Sequence, residues 1–524
     1  MTKSDISEGV GLPASASPNE TAAAAPDEAK RAGRGFLWVA SAKVLFIVSA
    51  FGVTVALPVL FGDDAVYGRF AVVFGAAALL NNVLISSTLQ TVSKLVSEDP
   101  ANARRSVRQA LLLQLGIGLS LGGSIALFAP LIAEHVYHDG ARTPLLRIAG
   151  AVVLCYAMYA ALVGALNGQK RFDAQARLDM TFSFLRTAGL LGGAAAGFGA
   201  VGAFGGFGLA AMTILGIAMM VVGVGEPGSV IPWSRWRALL LPIAGYQAAL
   251  SGLMLVDLQV LNVLGEHLAS PLGADAAREL ADRLAAYYSG AQRFALVPYQ
   301  TVLAVTFVVF PFVSQATAMG DEEAAKRYVA GAFRFSFLQL LMVAAPIAGA
   351  ADGVLLVSFP DTYVAAADAL RILIMGQVAF ALFAIGATIL TSGGHAAQAL
   401  KIASAALVVV LVATTAAIYA VGVEGDAILA ATAAGTSLGT LVAFAATGYS
   451  VYVMFGALIP MRSVVRGAIA GAVGFATAYF VPHTSVVGVL GAMIGGAVAY
   501  ALTLAITGEV GKEELALVQR VLKR

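Results

Sequence analysis

The sequence predicts an all-α integral membrane protein of about fourteen transmembrane helices: two six-helix lobes related by a pseudo-two-fold axis along the membrane normal, plus two C-terminal helices. Three observations carry that prediction. Of 524 residues, 59% are hydrophobic and 12% charged, and the mean hydropathy is +0.85; a soluble fold could not hide that much apolar surface. From Phe36 onward, apolar runs of about 20 residues, the length that crosses a bilayer as a helix, follow one another to residue 507. One pattern occurs twice: the stretch from Leu145 to Leu178 returns from Ala369 to Ile402. Leu370-Arg371-Ile372 echoes Leu146-Arg147-Ile148, and Gln398-Ala399-Leu400-Lys401 echoes Gln175-Ala176-Arg177.

Taken in order, residues 1–29 are rich in Ala, Ser, Pro and acidic residues and hold no apolar signal core, so a disordered cytoplasmic tail is expected. Lys30, Arg31 and Arg34 close it. Spans are predicted at about 36–60, 68–96, 107–133, 145–168, 178–198, 202–224, 238–265, 286–317, 330–357, 364–392, 397–421, 427–455, 463–481 and 486–507. They divide into an N-lobe at 30–224, a cytoplasmic linker at 225–237, a C-lobe at 238–455, and helices thirteen and fourteen within 456–507. In the linker, Trp233 and Trp236 suit the headgroup layer and Arg235 and Arg237 the cytoplasmic face. The longest external connection, Glu266–Tyr288, is expected to form a surface helix leading into the eighth span. In the tail, 508–524, Leu515, Val518, Val521 and Leu522 stand at helical spacing before Lys523 and Arg524. That is the pattern of an amphipathic helix lying on the cytoplasmic leaflet or against the protein's own loops.

The loop charges test this count. Placed on alternate sides, Arg104, Arg105, Arg108, Lys170, Arg171, Arg177, Arg235, Arg237, Lys326, Arg327, Arg334, Lys401, Arg462 and Arg466 gather on one side. Only Arg142, Arg147, Arg278 and Arg283 fall on the other. The crowded side faces the cytoplasm by the positive-inside rule, which puts both termini inside and the protein in the inner (cytoplasmic) membrane. The repeat also extends beyond the opening pattern, since Val92-Ser93-Lys94 followed by Arg104-Arg105 is matched by Val313-Ser314-Gln315 followed by Lys326-Arg327. The period is six helices. Six is even, so the two halves share one orientation, as in parallel-repeat transporters.

Most motif matches carry no chemistry. Gly197, Gly199 and Gly202 spell a dinucleotide fingerprint, but at an external turn with no strand before them and no acidic partner for a ribose. Gly435-Thr436-Ser437-Leu438-Gly439 spells a nucleophile elbow inside a membrane helix, where small residues at helical spacing are packing surfaces. The five histidines are scattered through loops without companion ligands, so no metal is expected. The single cysteine, Cys155, lies in an apolar run and can form no intramolecular disulfide. With a net charge of +2 there is no field to attract nucleic acid, and no cofactor is implied.

The informative residues are charges inside the spans, because a charge at the bilayer centre costs roughly 2.5–3.5 kcal/mol on insertion scales and normally faces a cavity or a partner. Five qualify: Lys43 about 10 Å into the first span, Arg186 near the middle of the fifth, Asp257 in the seventh, Arg293 in the eighth and Arg371 at the outer end of the tenth. Lys43, Arg293 and Arg371 are shallow enough to snorkel, and Asp257 can pair with Arg293 or Arg186. Jointly, four cations to one anion suit a cavity that holds a phosphate or pyrophosphate headgroup. Asn81, Asn82 and Gln292, with further amides in the second, seventh and eighth spans, can bond sugar hydroxyls or join helices. Asp257 is the candidate for coupling to protons or sodium.

These residues and the layout resemble the exporter superfamily that unites polysaccharide flippases, peptidoglycan lipid flippases and multidrug antiporters. The resemblance covers about residues 34–507. It rests on Gly33-Arg34-Gly35, Tyr67-Gly68, Val92-Ser93-Lys94, Asn167-Gly168-Gln169-Lys170-Arg171-Phe172 and Phe310-Pro311 in that order. It implies two six-helix bundles around a cavity of alternating access, and a lipid-linked oligosaccharide as cargo, with membrane lipids, a polysaccharide polymerase and glycosyltransferases as partners. Lys43 falls where peptidoglycan lipid flippases carry a cavity Arg, whereas Asn81-Asn82 replaces the paired arginines those flippases tend to have in the second span. That departure favours the polysaccharide branch. A multidrug or cation antiporter ranks second, because the first span lacks a buried carboxylate and only Asp257 remains. A membrane glycosyltransferase or polymerase ranks third, lacking a large external loop or a clustered acidic metal site.

Overall fold

The computed structural model describes residues 45, 48–228, 231–302, 313, 316, 317, 319–423 and 425–509. The expected N-terminal tail, Lys43, and all but the first two residues of the expected C-terminal tail lie outside the described residues. Every regular element among the described residues is helical. In chain order these are α1 (Val48–Phe61), α2 (Asp64–Glu98), α3 (Ala103–Leu127), α4 (Ala129–His135), α5 (Thr143–Gly168), α6 (Phe172–Gly193), α7 (Gly199–Val222) and α8 (Trp233–Ala269). There follow α9 (Ala274–Ala295), α10 (Glu322–Gly349), α11 (Ala351–Ser358), α12 (Ala367–Ser392), α13 (Ala396–Val421), α14 (Ala427–Phe455), α15 (Met461–Phe480) and α16 (Val486–Ile506).

Eleven segments among the described residues are long and apolar enough to cross a membrane, fewer than the expected fourteen. Part of the difference is physical. One of the eleven, Phe172–Val222, contains both α6 and α7; the chain reverses where Gly197 and Gly199 take φ of +83° and +55°, a left-handed conformation open to glycine. A Cβ on Gly189, Gly193, Gly202 or Gly206 would overlap the backbone of the facing helix, so the hairpin closes backbone to backbone. The fingerprint-like glycines thus make a turn. The first and eighth expected spans run partly through residues outside the described set.

Local signals set several helix starts. Asp63 caps α2, accepting from the Ala65 amide at 2.8 Å, and Asp321 caps α10 through the Ala324 amide at 2.9 Å. Glu322 and Glu323 then sit in the first turn of α10, where the helix dipole favours negative charge. The expected surface helix after Glu266 is instead the start of α9, one continuous helix to Ala295 that buries Ala277, Ala281, Asp282 and Leu284. Trp236 is also a correction: it is 1% exposed inside the fold, whereas Trp233 is 50% exposed.

The duplicated pattern has a structural counterpart. Neighbour pairs α2–α5, α3–α5, α5–α7 and α6–α7 recur as α9–α12, α10–α12, α12–α14 and α13–α14. The two echoing stretches build α5 and α12, the most enclosed of the eleven segments, each with 78% of its apolar window buried. Cys155 is buried in α5. Residues at the helix exits hold helix ends together, as when Ser93 Oγ donates to Asn167 Oδ1 at 2.8 Å and Asn167 Nδ2 to Gln175 Oε1 at 3.1 Å. The helix ends bearing Arg104, Lys170, Arg235 and Lys326 form a basic end, and those bearing Asp64, Arg142 and Asp282 form the opposite end.

Candidate functional site

Two of the predicted cations meet. Arg186 of α6 and Arg293 of α9 line one small cavity of about 60 Å³, walled by Val53, Thr54 and Leu57 of α1, by Tyr67, Phe70 and Phe74 of α2, and by Leu190. Arg186 is only 8% exposed. In the cavity's aromatic wall Phe70 stacks on Phe74 with centroids 5.3 Å apart, and beside it Phe51 of α1 meets Phe294 of α9 edge-on at 5.1 Å. Because α6 lies in the first half of the chain and α9 in the second, like charges from both halves face one apolar space.

Gln292 and Asp257 form a separate centre. The Asp257 carboxylate, 1% exposed, accepts from Tyr288 Oη at 2.7 Å, Gln292 Nε2 at 2.8 Å, Thr436 Oγ1 at 2.9 Å and its neighbour's amide, Leu258 N, at 2.9 Å. The bridge from Asp257 to Arg293 or Arg186 that the sequence allowed does not form among the described residues. Neutral donors from α9 and α14 occupy the carboxylate instead. Gln292 thereby faces Asp257, while the next residue along α9 faces the arginine cavity.

The remaining predicted residues are placed elsewhere. Asn81 is buried, its side-chain oxygen without a partner among the described residues, whereas Asn82 is exposed; adjacent helical residues point about 100° apart. Arg371 lies away from both centres. It pairs with Asp352 and, at 2.6 Å, with Asp368, in a polar cavity of about 280 Å³ that also contains Asp426.

Sequence inspection missed one cluster altogether. At the end opposite the basic one, Arg142 is fully buried. It donates to Asn262 Oδ1 at 2.9 Å, pairs with Asp282, lies 3.5 Å from Asp139 and stacks over Tyr137 at 4.6 Å. Arg69 bridges Asp139 at 3.0 Å and Asp282 at 3.6 Å. The Asp139/Arg142 spacing is a local signal, but the partners on α8 and α9 lie too far along the chain to be matched by eye.

The polysaccharide biosynthesis protein family matches the chain over residues 65–368. No curated protein matches the sequence. Among solved structures the chain is similar to a lipid II flippase, MurJ, in an inward closed conformation, with a TM-score of 0.68 and 14% identity over 89% of this chain and 99% of that one. It is also similar to an inward-facing multidrug resistance MATE family transporter of the MOP superfamily, with a TM-score of 0.62 and 16% identity over 77% and 94%. A third likeness is to a MOP superfamily transporter from Pyrococcus furiosus, with a TM-score of 0.57 and 16% identity over 81% and 95%. These likenesses show the fold, that of a multi-pass membrane protein. The family match spans more than half of the sequence, so the chain belongs to the polysaccharide biosynthesis protein family, on the fold shared by the MOP superfamily transporters.

Proposed function

We propose that this protein is a flippase that moves a polyprenyl-diphosphate-linked oligosaccharide from the cytoplasmic to the outer leaflet by alternating access, for surface polysaccharide export. The observation that carries the proposal is the cavity shared by Arg186 and Arg293. Guanidinium groups from both halves of the chain reach one apolar space, where a diphosphate would draw on both charges and the guanidinium fork matches its oxygens. Lys43 supplies a third cation from the first span, and Asn81 and Asn82, which lie outside the small cavity, meet sugar hydroxyls in the space that opens when the lobes part. Arg371 is left out of this site because its guanidinium is engaged by Asp352 and Asp368.

In this proposal residues 30–224 and 238–455 are lobes that rock about the 225–237 linker, with the helices of 456–507 appended. The basic end and both termini face the cytoplasm of an inner-membrane protein. A cavity of about 60 Å³ has no room for a glycan, so the sugars occupy space that opens when the lobes part. The cycle uses no cofactor and draws on protons or sodium through Asp257. A polysaccharide polymerase and glycosyltransferases act before and after it.

A multidrug or cation antiporter is the second reading, favoured by one observation: a buried carboxylate that, among the described residues, is held by neutral donors. A peptidoglycan lipid precursor is the other candidate cargo, and the Asn81-Asn82 pair argues against it. Reconstitution in liposomes with a fluorescent polyprenyl-diphosphate glycan separates these readings. Movement of the intact glycolipid supports the flippase; drug-for-proton exchange without glycolipid movement, or elongation of the glycan, overturns it.

A further inference from the structure

At the end opposite the basic one, the two halves of the chain touch directly. Gly68 of α2 lies so close to the backbone of Asp282 on α9 that a Cβ there would overlap it. One residue on, Arg69 reaches Asp282 at 3.6 Å, and Val72 O accepts from Gln259 Nε2 of α8 at 2.9 Å. Interleaved with and flanking those contacts, Tyr67, Phe70, Ala71 and Phe74 of the same helix face the arginine cavity. Asp282 stands eleven residues before Arg293 on α9, about 16 Å along the helix. The contact therefore roofs the cavity.

From this geometry we infer that Arg69, Asp139 and Arg142 of the first half, with Asn262 and Asp282 of the second, form the gate that closes the cavity toward the outer leaflet. The inference rests on alternating access but not on which molecule is carried. The charges are complementary: the first half contributes Arg69, Arg142 and Asp139, a net positive set, and the second contributes Asp282 beside the neutral Asn262. Each set also keeps a partner of its own. When the halves part, Asp139 remains with Arg69 at 3.0 Å and with Arg142 at 3.5 Å, and Asp282 keeps the Asn262 amide at 3.2 Å. Opening breaks the buried Arg142–Asp282 pair, and Asp139 on one side and the Asn262 amide on the other offset part of that cost. Nearby, Asp64 of α2 adds a weaker latch, accepting from Tyr287 Oη at 3.2 Å and Thr362 Oγ1 at 2.7 Å.

The test is the rate at which a membrane-impermeant maleimide, applied to the face opposite the basic end, labels Thr54→Cys in the cavity wall. It uses the full chain in a Cys155→Ala background, with no substrate added. Asp282→Asn should label at least tenfold faster than the parent. Asp64→Asn, outside the buried cluster, should label about threefold faster and serves if Asp282→Asn does not accumulate. Asp368→Asn, which breaks a pair at the same end but within one half, should label at the parent rate. Equal rates for the parent and the two gate variants would overturn the inference, as would an equally fast Asp368→Asn. Since labelling needs no glycolipid, a failed transport assay alongside accelerated labelling would sink the cargo assignment and leave the gate standing.

Discussion

Gln292 donates to Asp257 at 2.8 Å across the α8–α9 contact, while Arg293, one residue further, enters the cavity with Arg186. One stretch of α9 thus serves two centres, a carboxylate ringed by neutral donors and a cavity lined by two arginines.

The ring around Asp257 predicts how substitutions there behave. Asp257→Asn retains an acceptor and nearly the same shape, so its melting temperature should stay close to the parent's while any proton or sodium dependence of transport disappears. Asp257→Ala leaves Tyr288, Gln292 and Thr436 without their shared acceptor and should be less stable than Asp257→Asn by about 1–3 kcal/mol. Thermal unfolding in detergent checks the first effect, and transport under imposed ion gradients checks the second.

The α6–α7 hairpin makes a sharper steric prediction. A methyl on Gly206 would overlap the backbone of Gly189, whereas one on Gly205 meets nothing within 4 Å. Gly206→Ala should therefore lower stability by about 1–3 kcal/mol, and Gly205→Ala should leave it unchanged or raise it by up to about 1 kcal/mol. Melting temperatures of the two variants measured side by side decide it.

Beyond α16, Glu509 ties the end of the described chain to two other helices. It accepts from Arg334 Nε at 2.8 Å, from Arg466 at 3.1 Å and from Ser463 Oγ. Burial pushes its carboxyl up, but the hydrogen bonds from Ser463, Arg334 and Arg466 together outweigh that and hold it below the ordinary range. A depressed carboxyl stabilises the fold fully above the unfolded value of about 4.3 and loses that contribution as pH falls through the folded one. Hydrogen exchange at the basic ends of α15 and α16 should thus accelerate only under acid conditions. Glu509→Gln should show the accelerated exchange already at neutral pH.

The helical membrane class was legible because the bilayer demands a minimum apolar length of each span. Leu145–Leu178 and Ala369–Ile402 could be matched as text, and they build the two most enclosed segments, α5 and α12. Side-chain partnership was far less legible. Arg371 has a partner three residues away in Asp368, visible on a helical wheel, but its second partner, Asp352, comes from a different helix. Arg142 looked like a loop cation and is fully buried, since its fate depends on α8 and α9 reaching it from more than a hundred residues away. Trp236 misled for a related reason: an indole suits the headgroup layer, yet packing by neighbouring helices took it inside.

The most direct test of the account is glycolipid movement by the variant carrying Lys43→Ala, Arg186→Ala and Arg293→Ala, measured with a fluorescent polyprenyl-diphosphate glycan in liposomes that contain confirmed, folded protein. The account predicts at least a tenfold slower rate, with Arg186→Ala and Arg293→Ala each giving part of the loss. Movement at the parent rate by the triple variant would contradict it.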